Sequence, residues 1–86
     1  MKSDSGTEAA KRHAAQSAVG AVDDGMTVGL GTGSTAGFAI REIGRRVDGG
    51  LAIRGVPTSF QARELAREVG VPLVALEDVD RLDIAI

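Results

Sequence analysis

A chain of 86 residues holds one domain at most and buries only about two-thirds of the surface that it exposes when unfolded. Its formal net charge of -2 and its two aromatic side chains, Phe38 and Phe60, weigh against nucleic-acid binding, which needs a basic surface and stacking groups. The absence of cysteine excludes disulfide bonds, thiol nucleophiles and thiolate metal sites. The polar start has no signal-peptide or membrane-spanning pattern, so we expect a cytoplasmic location and no membrane partner.

The first predicted elements are a helix and a buried strand. After a flexible polar lead over residues 1–7, Thr7 is a candidate cap for a helix over residues 8–22. The apolar positions of this helix recur at spacings of three and four, as Ala10, Ala14, Ala18 and Ala21. Residues 26–30 are a short apolar run without polar alternation, which predicts a strand buried on both faces.

A second helix and a second strand follow. The helical pattern begins at Thr35 and ends before Asp48, Gly49 and Gly50. Its apolar face consists of Phe38, Ala39, Ile43 and Val47. Residues 51–56 are predicted as the second strand, which Pro57 stops because its nitrogen has no hydrogen to donate.

The last third of the chain repeats this alternation. Ser59 is predicted to cap a third helix that ends at Gly70, with a buried stripe of Phe60, Leu65, Ala66 and Val69. On its solvent-exposed face, Glu64 and Glu68 are interpreted as charge partners of Arg63 and Arg67. The remaining elements are a strand over residues 71–76, a turn or single helical turn over 77–81, and a strand over 82–86.

Strands that alternate with helices and short turns predict right-handed crossovers and a parallel sheet. The expected fold class is therefore α/β, an open, Rossmann-like parallel sheet with helices on both faces, truncated in its fourth strand. Residues 8–86 would form the amino-terminal part of such a domain, and the open edge of the fourth strand favours an incomplete domain.

The segment that carries chemistry is a glycine- and hydroxyl-rich turn between the first strand and the second helix. It is Gly31-Thr32-Gly33-Ser34-Thr35. Glycines let the backbone approach a ligand, and the unpaired amides and dipole of a helix start favour an anion, for which a phosphate monoester is well suited. We expect this turn to lie at the carboxyl edge of the first strand and to open towards solvent.

Three other interpretations use the same residues. A nucleotide-hydrolase loop fails because it needs a lysine in this stretch, and a dinucleotide fingerprint fits poorly because Ser34 stands where its third glycine belongs. The structural alternative is a tight turn without a ligand, in which Thr35 only caps the helix.

The GTGST turn, together with the lysine of the first helix, the PTSFQ segment at residues 57–61 and the LDIAI segment at 82–86, resembles the A-type ribose-5-phosphate isomerases. The resemblance covers the whole chain and the first third to half of that family. It implies an aldose-ketose isomerase that interconverts ribose 5-phosphate and ribulose 5-phosphate through an enediolate, without a metal or other cofactor, usually as a homodimer.

The resemblance places substrate binding on Thr32, Gly33, Ser34, Thr35 and Lys11. A lysine on a helix is as readily a solvated residue, so Lys11 stays open. In the family, the strand matching residues 84–86 leads into a DGAD segment, a lysine- and glycine-rich loop and an acid-base glutamate. None of these falls within the 86 residues, so we expect the chain by itself to be inactive.

No catalytic role is assigned to any residue present. The acidic residues near the fourth strand, Asp78, Asp80 and Asp83, are interpreted as surface carboxylates, and His13 as a surface or packing residue. Two other classes share this fold and a similar turn: the sugar-phosphate-sensing domain of DeoR-type repressors and, with weaker motifs, glucosamine-6-phosphate deaminases. A sensor would bind the same sugar phosphate without converting it.

Overall fold

The protein is an open parallel α/β sheet with helices packed against it. The computed structural model describes the backbone of residues 4–86 and the side chains of residues 8–86. In chain order the elements are α1 (Asp4–Val19), β1 (Thr27–Leu30), α2 (Ser34–Asp48), β2 (Arg54–Pro57), α3 (Phe60–Glu68), a 3₁₀ turn (Leu76–Asp78) and β3 (Ile84–Ala85). The strand order is β2-β1-β3, and both pairs are parallel, which confirms the predicted class.

β1 is the central strand and is buried along its whole length. Val28 and Leu30 belong to a core cluster to which all three helices contribute. On α2, Ala39 and Ile43 are buried, while Phe38 and Val47 are half-buried against the same cluster, as the sequence predicts. The pairing of Leu30 with Pro57 sets the ends of β1 and β2 side by side at the carboxyl edge of the sheet.

The first helix differs from its prediction in bounds and in face. It begins at Asp4 rather than at residue 8, so Thr7 lies inside it and does not precede it; residues 1–3 of the predicted lead lie outside the described residues. It ends at Val19 rather than at residue 22. The buried residues of this segment are Ala15, Val19 and Val22, whereas the predicted Ala10, Ala14 and Ala21 are exposed.

The predicted third strand is reduced to one bridge. Leu73 pairs with Gly55 in parallel, next to β2, and no longer run of pairing forms over residues 71–76. The amide of Gly55 donates to the carbonyl of Pro72 at 2.7 Å, and that of Val74 to the carbonyl of Gly55 at 2.9 Å. β2 and β3 are also shorter than predicted, at residues 54–57 and 84–85.

Helix α3 starts as predicted but presents a different side to the core. The Ser59 hydroxyl accepts a hydrogen bond from the Ala62 amide at 3.0 Å, which confirms the predicted cap. Ala62 and Ala66 are the buried residues of the helix, and Leu65 and Val69 are half-buried. Phe60 is 73% exposed, so its place in the predicted stripe is wrong.

The charged pairs of the helices lie on α2 and not on α3. Glu42 accepts from Arg45 at 3.2 Å and from Arg46 at 3.0 Å. Within residues 8–86, Glu64 and Glu68 form no salt bridge, contrary to their interpretation as partners of Arg63 and Arg67. No helix in the described part of the chain has the length and apolar character needed to cross a membrane.

Candidate functional site

The glycine-rich turn joins β1 to α2 at the carboxyl edge of the sheet. Leu30 is the last residue of the strand, and Ser34 is the first of the helix. Gly31 is half-buried, and residues 32–35 are all exposed. The turn therefore opens to solvent, as the sequence predicts, and no other element of the described chain covers it.

Two glycines of the turn are required for different reasons. A Cβ on Gly31 would lie 2.7 Å from the carbonyl oxygen of Ile86, a distance that forces the backbone to move. Gly33 has open space around it, but its φ of 101° is a conformation that residues with a side chain rarely adopt. The first glycine allows a close approach between strands, and the second one sets the path into the helix.

The backbone amides of residues 32–36 have no acceptor among the described atoms of the protein. The first hydrogen bond of α2 runs from the Gly37 amide to the Gly33 carbonyl, at 2.9 Å. Neither the backbone of residues 4–86 nor the side chains of residues 8–86 supply an oxygen to the amides of residues 32–36. Unpaired donors at a helix start carry partial positive charge, so this arrangement suits an anion.

The hydroxyls of the turn are also available. Gly33 is the N-cap of α2 and has no side chain to cap with, so Ser34 and Thr35 lie inside the first turn of the helix. Thr35 therefore does not cap the helix, so that part of the structural alternative is wrong, while a tight turn without a ligand stays an alternative. Within the described residues, neither hydroxyl is used in a hydrogen bond, and both side chains are exposed beside the unpaired amides.

Lys11 lies on α1, and the structure gives it no hydrogen bond to the turn within the described residues. It is half-buried and lies on the same line of the helix as the buried Ala15, one turn further on. The next residue, Arg12, has its guanidinium 5.0 Å from the ring centroid of Phe38, one turn into α2. This contact sets α1 alongside the start of α2, near the turn.

A cleft of about 190 Å³ opens next to the turn, between the first turns of α2 and α3. It is lined by glycines, apolar side chains, one threonine and one side-chain amide: Gly31, Thr32, Gly33, Gly37, Ile40, Gln61, Ala62 and Leu65. A larger cavity of about 530 Å³ lies beside residues 73–77 and includes no residue of the turn. We centre the candidate site on the smaller cleft because the unpaired donors are there.

The other ionisable residues considered in the sequence, three aspartates and one histidine, do not line this cleft. Asp83 accepts a hydrogen bond from the Thr27 amide at 2.7 Å and lies 3.5 Å from Arg81, at the other end of β1. Asp78 and Asp80 are exposed near the 3₁₀ turn, and His13 is exposed on α1. Their interpretation as residues without a catalytic role stays a prediction.

The fold is a Rossmann-like, open parallel α/β sheet with an exposed turn at its carboxyl edge, whose free donors suit an anion. No protein-family model matches the chain. It is 62% identical, over 78 residues, to the ribose-5-phosphate isomerase A of Natronomonas pharaonis; this match covers 91% of the chain and 35% of the relative.

Solved structures give the same result. The ribose-5-phosphate isomerase A of Methanocaldococcus jannaschii superposes with a TM-score of 0.83 at 50% identity, covering 87% of this chain and 33% of the other. A D-ribose-5-phosphate isomerase in complex with phospho-erythronic acid gives 0.83 at 43% identity, covering 87% and 34%. The chain is homologous to ribose-5-phosphate isomerase A enzymes over part of their length: it spans about a third of these relatives, in their amino-terminal portion.

Proposed function

We propose that this chain carries the phosphate-binding turn of a ribose-5-phosphate isomerase, which interconverts ribose 5-phosphate and ribulose 5-phosphate. The observation that carries the proposal is the row of amides at residues 32–36, which find no acceptor among the described residues, together with the hydroxyls of Ser34 and Thr35 in the same row, which make no hydrogen bond there. The similarity to ribose-5-phosphate isomerases, one of which is in complex with phospho-erythronic acid, a phosphorylated sugar acid, supports a sugar phosphate as the ligand.

In this proposal the phosphate oxygens accept hydrogen bonds from the amides of Gly33, Ser34 and Thr35 and from the hydroxyls of Ser34 and Thr35. Thr32 lines the adjacent cleft, in which we place the part of the sugar next to the phosphate. The positive end of the α2 dipole stabilises the phosphate charge, and each hydrogen bond to a charged group is worth about 1.5–3 kcal/mol.

Lys11 is proposed as a further contact to the phosphate. Its side chain leaves α1 on the half-buried side of the helix, and the packing of Arg12 on Phe38 brings this part of α1 close to the start of α2. An ammonium at the end of a long flexible side chain is suited to approach a charged ligand without a fixed geometry.

The turn contributes to the reaction by orienting the sugar. The phosphate is remote from C1 and C2, between which the proton moves, so its binding energy acts by holding the reacting carbons in position. Amides and hydroxyls donate to an anion but do not take a proton from carbon, which requires a positioned base. We assign that base to no residue of this chain, and we propose that the whole enzyme is a homodimer.

We also propose that the enzyme works in the cytoplasm. A phosphorylated sugar carries charge whose transfer into lipid is costly, so the substrate stays in the compartment where it is made. The alternative of a sugar-phosphate-sensing domain of a repressor is less well supported, because the relatives reported above are isomerases.

Isothermal titration of the chain with ribose 5-phosphate, inorganic phosphate and unphosphorylated ribose tests the proposal. We expect ribose 5-phosphate to bind most tightly, phosphate to bind more weakly, and ribose to lose most of the affinity because it offers no anion to the turn. A coupled assay on the same sample should detect no isomerisation by the 86-residue chain.

Equal affinity for ribose and its phosphate would show that the turn is only a structural turn. Measurable isomerisation that is lost in Asp83→Asn or His13→Ala would show that the proton-transfer groups lie among residues to which we assign no such role.

A further inference from the structure

The peptide unit that leads into the turn is held at both of its ends. The carbonyl of Leu30 accepts two hydrogen bonds from Thr58, one from the amide at 3.0 Å and one from the hydroxyl at 2.8 Å. The amide of Gly31, in the same peptide unit, donates to the Ile86 carbonyl at 2.8 Å. Thus the residue after β2 and the residue after β3 together fix one peptide of β1.

This arrangement determines where the unpaired amides point. A peptide unit is planar, so fixing its carbonyl and its N–H fixes the orientation of the whole plane. Gly31 follows directly and has no side chain, and without these contacts its backbone could rotate freely. The amides of residues 32–36 follow this one fixed plane, so a rotation of it would turn them away from a shared ligand.

The Thr58 hydroxyl contributes beyond what the strand pairing requires. The Thr58 amide continues the parallel ladder between β1 and β2, and any residue other than proline could supply it. A carbonyl oxygen has two lone pairs, and the hydroxyl occupies the second one. Two donors at different angles restrict the carbonyl direction more than one donor does.

We propose that Thr58 is a positioning residue for the phosphate-binding turn: its hydroxyl orients the Leu30–Gly31 peptide and thereby aims the amides of residues 32–36 at the phosphate. Thr58 itself does not touch the ligand in this proposal. The identity of the ligand in this inference rests on the proposed function. The orientation of the Leu30–Gly31 peptide rests only on the hydrogen bonds described above.

The test compares Thr58→Val, which keeps the shape of the side chain and removes the hydroxyl, with Thr58→Ser, which keeps the hydroxyl. Two readouts are taken on the 86-residue chain: NMR titration with ribose 5-phosphate and inorganic phosphate, and amide hydrogen exchange without ligand. The amide of Ile43, in the middle of α2, reports on global unfolding.

We expect Thr58→Val to weaken ribose 5-phosphate binding about three- to tenfold, the equivalent of one net hydrogen bond. In Thr58→Val, the rate of hydrogen exchange at the Gly31 amide should rise by a similar factor, after any change in the exchange rate at Ile43 has been subtracted. Thr58→Ser should restore both quantities to within about twofold of wild type, on the same basis.

A purely structural role would speed exchange at Gly31 and Ile43 equally and leave ligand affinity unchanged, which would overturn the proposal. Equal behaviour of Thr58→Val and wild type would overturn it as well. If the wild-type chain binds neither ligand, the proposed function fails. The positioning of the turn is then decided by hydrogen exchange: a faster exchange at Gly31 in Thr58→Val, but not in Thr58→Ser, supports it. An unchanged exchange at Gly31 in Thr58→Val overturns it.

Discussion

Two turns at the same edge of the sheet join a strand to a helix, and they use their polar groups in opposite ways. After β2, the Thr58 hydroxyl and amide donate to Leu30, and the Ser59 hydroxyl accepts from the third amide of α3. After β1, the residue at the cap is Gly33, and within the described residues the corresponding amides have no protein acceptor.

The cap residues explain this difference. Ser59 has extended backbone angles, φ -157° and ψ 164°, and a side chain that reaches back to the helix. Gly33 has a φ of 101° and no side chain, so the cap residue cannot accept from the first turn of α2, and no other described residue does so. Within the described residues, the β2 turn supplies its own acceptor to one amide of the first turn of α3, whereas the β1 turn supplies none to the first turn of α2 and leaves those donors to water or to an anion.

The largest effect should follow from changing the path of the β1 turn. Gly33→Ala places a side chain at a φ of 101°, so the backbone must shift and several amides lose their common direction. We expect ribose 5-phosphate affinity to fall about a hundredfold or more, since two or more charged hydrogen bonds are affected.

Gly50→Ala is the matched control for this change. Gly50 also has a positive φ, 115°, with open space around it, but it follows α2 at the opposite end of the helix from the turn. Both variants should lose about 1–3 kcal/mol of unfolding free energy in urea, and only Gly33→Ala should lose affinity. A loss of affinity in both would mean that general strain, not the turn, governs binding.

Removal of one hydroxyl from the β1 turn should have the next largest effect. Ser34→Ala or Thr35→Ala should weaken ribose 5-phosphate binding by about ten- to a hundredfold in isothermal titration, because each removes a hydrogen bond to a charged group. The free energy of unfolding should change little, since Gly33 and not Thr35 is the cap. Ser17→Ala, at an exposed position of α1, is the control, and equal affinities across all three variants would contradict the phosphate assignment.

The smallest effect concerns the β2 turn and appears in stability alone. Ser59→Ala removes the cap of α3 and should lower the free energy of unfolding by about 1 kcal/mol, whereas Ser59→Gly should cost only a few tenths. Urea denaturation measures both, and ribose 5-phosphate affinity should match wild type. If Ser59→Ala weakened binding as strongly as Ser34→Ala, the division of labour between the turns would be wrong.

Both turns could be predicted from sequence because their chemistry is local. The β1 turn is predicted where a buried strand is followed by two glycines and then by a helical pattern. The α3 cap is predicted where a serine precedes a helical pattern. The hydrogen bonds of Thr58 and Ile86 could not be predicted, because they depend on strand pairing between residues distant in sequence. The alignment of Leu30 with Pro57 is visible only in the structure.

The predictions that failed have separate causes. α1 is so rich in alanine that its period selects no single face, and the larger Val19 and Val22 decided which side is buried. The predicted third strand contains Pro72, whose carbonyl faces β2; because Pro72 has no N–H to donate on that side, the pairing with β2 does not extend to the residues before it. Phe60 stands two residues before the buried Ala62, a spacing that places it on the opposite side of α3 from the core.

The hydrogen bond from the Gly31 amide to the Ile86 carbonyl also has a consequence for the order of folding. Contacts between residues far apart in sequence carry a large loop-closure entropy, so they form late compared with helices and local turns. Helices α2 and α3 can form from neighbouring residues, but the peptide that starts the β1 turn has its partner only after β3 has docked beside β1. The ligand-binding geometry is therefore among the last parts of the fold to be completed.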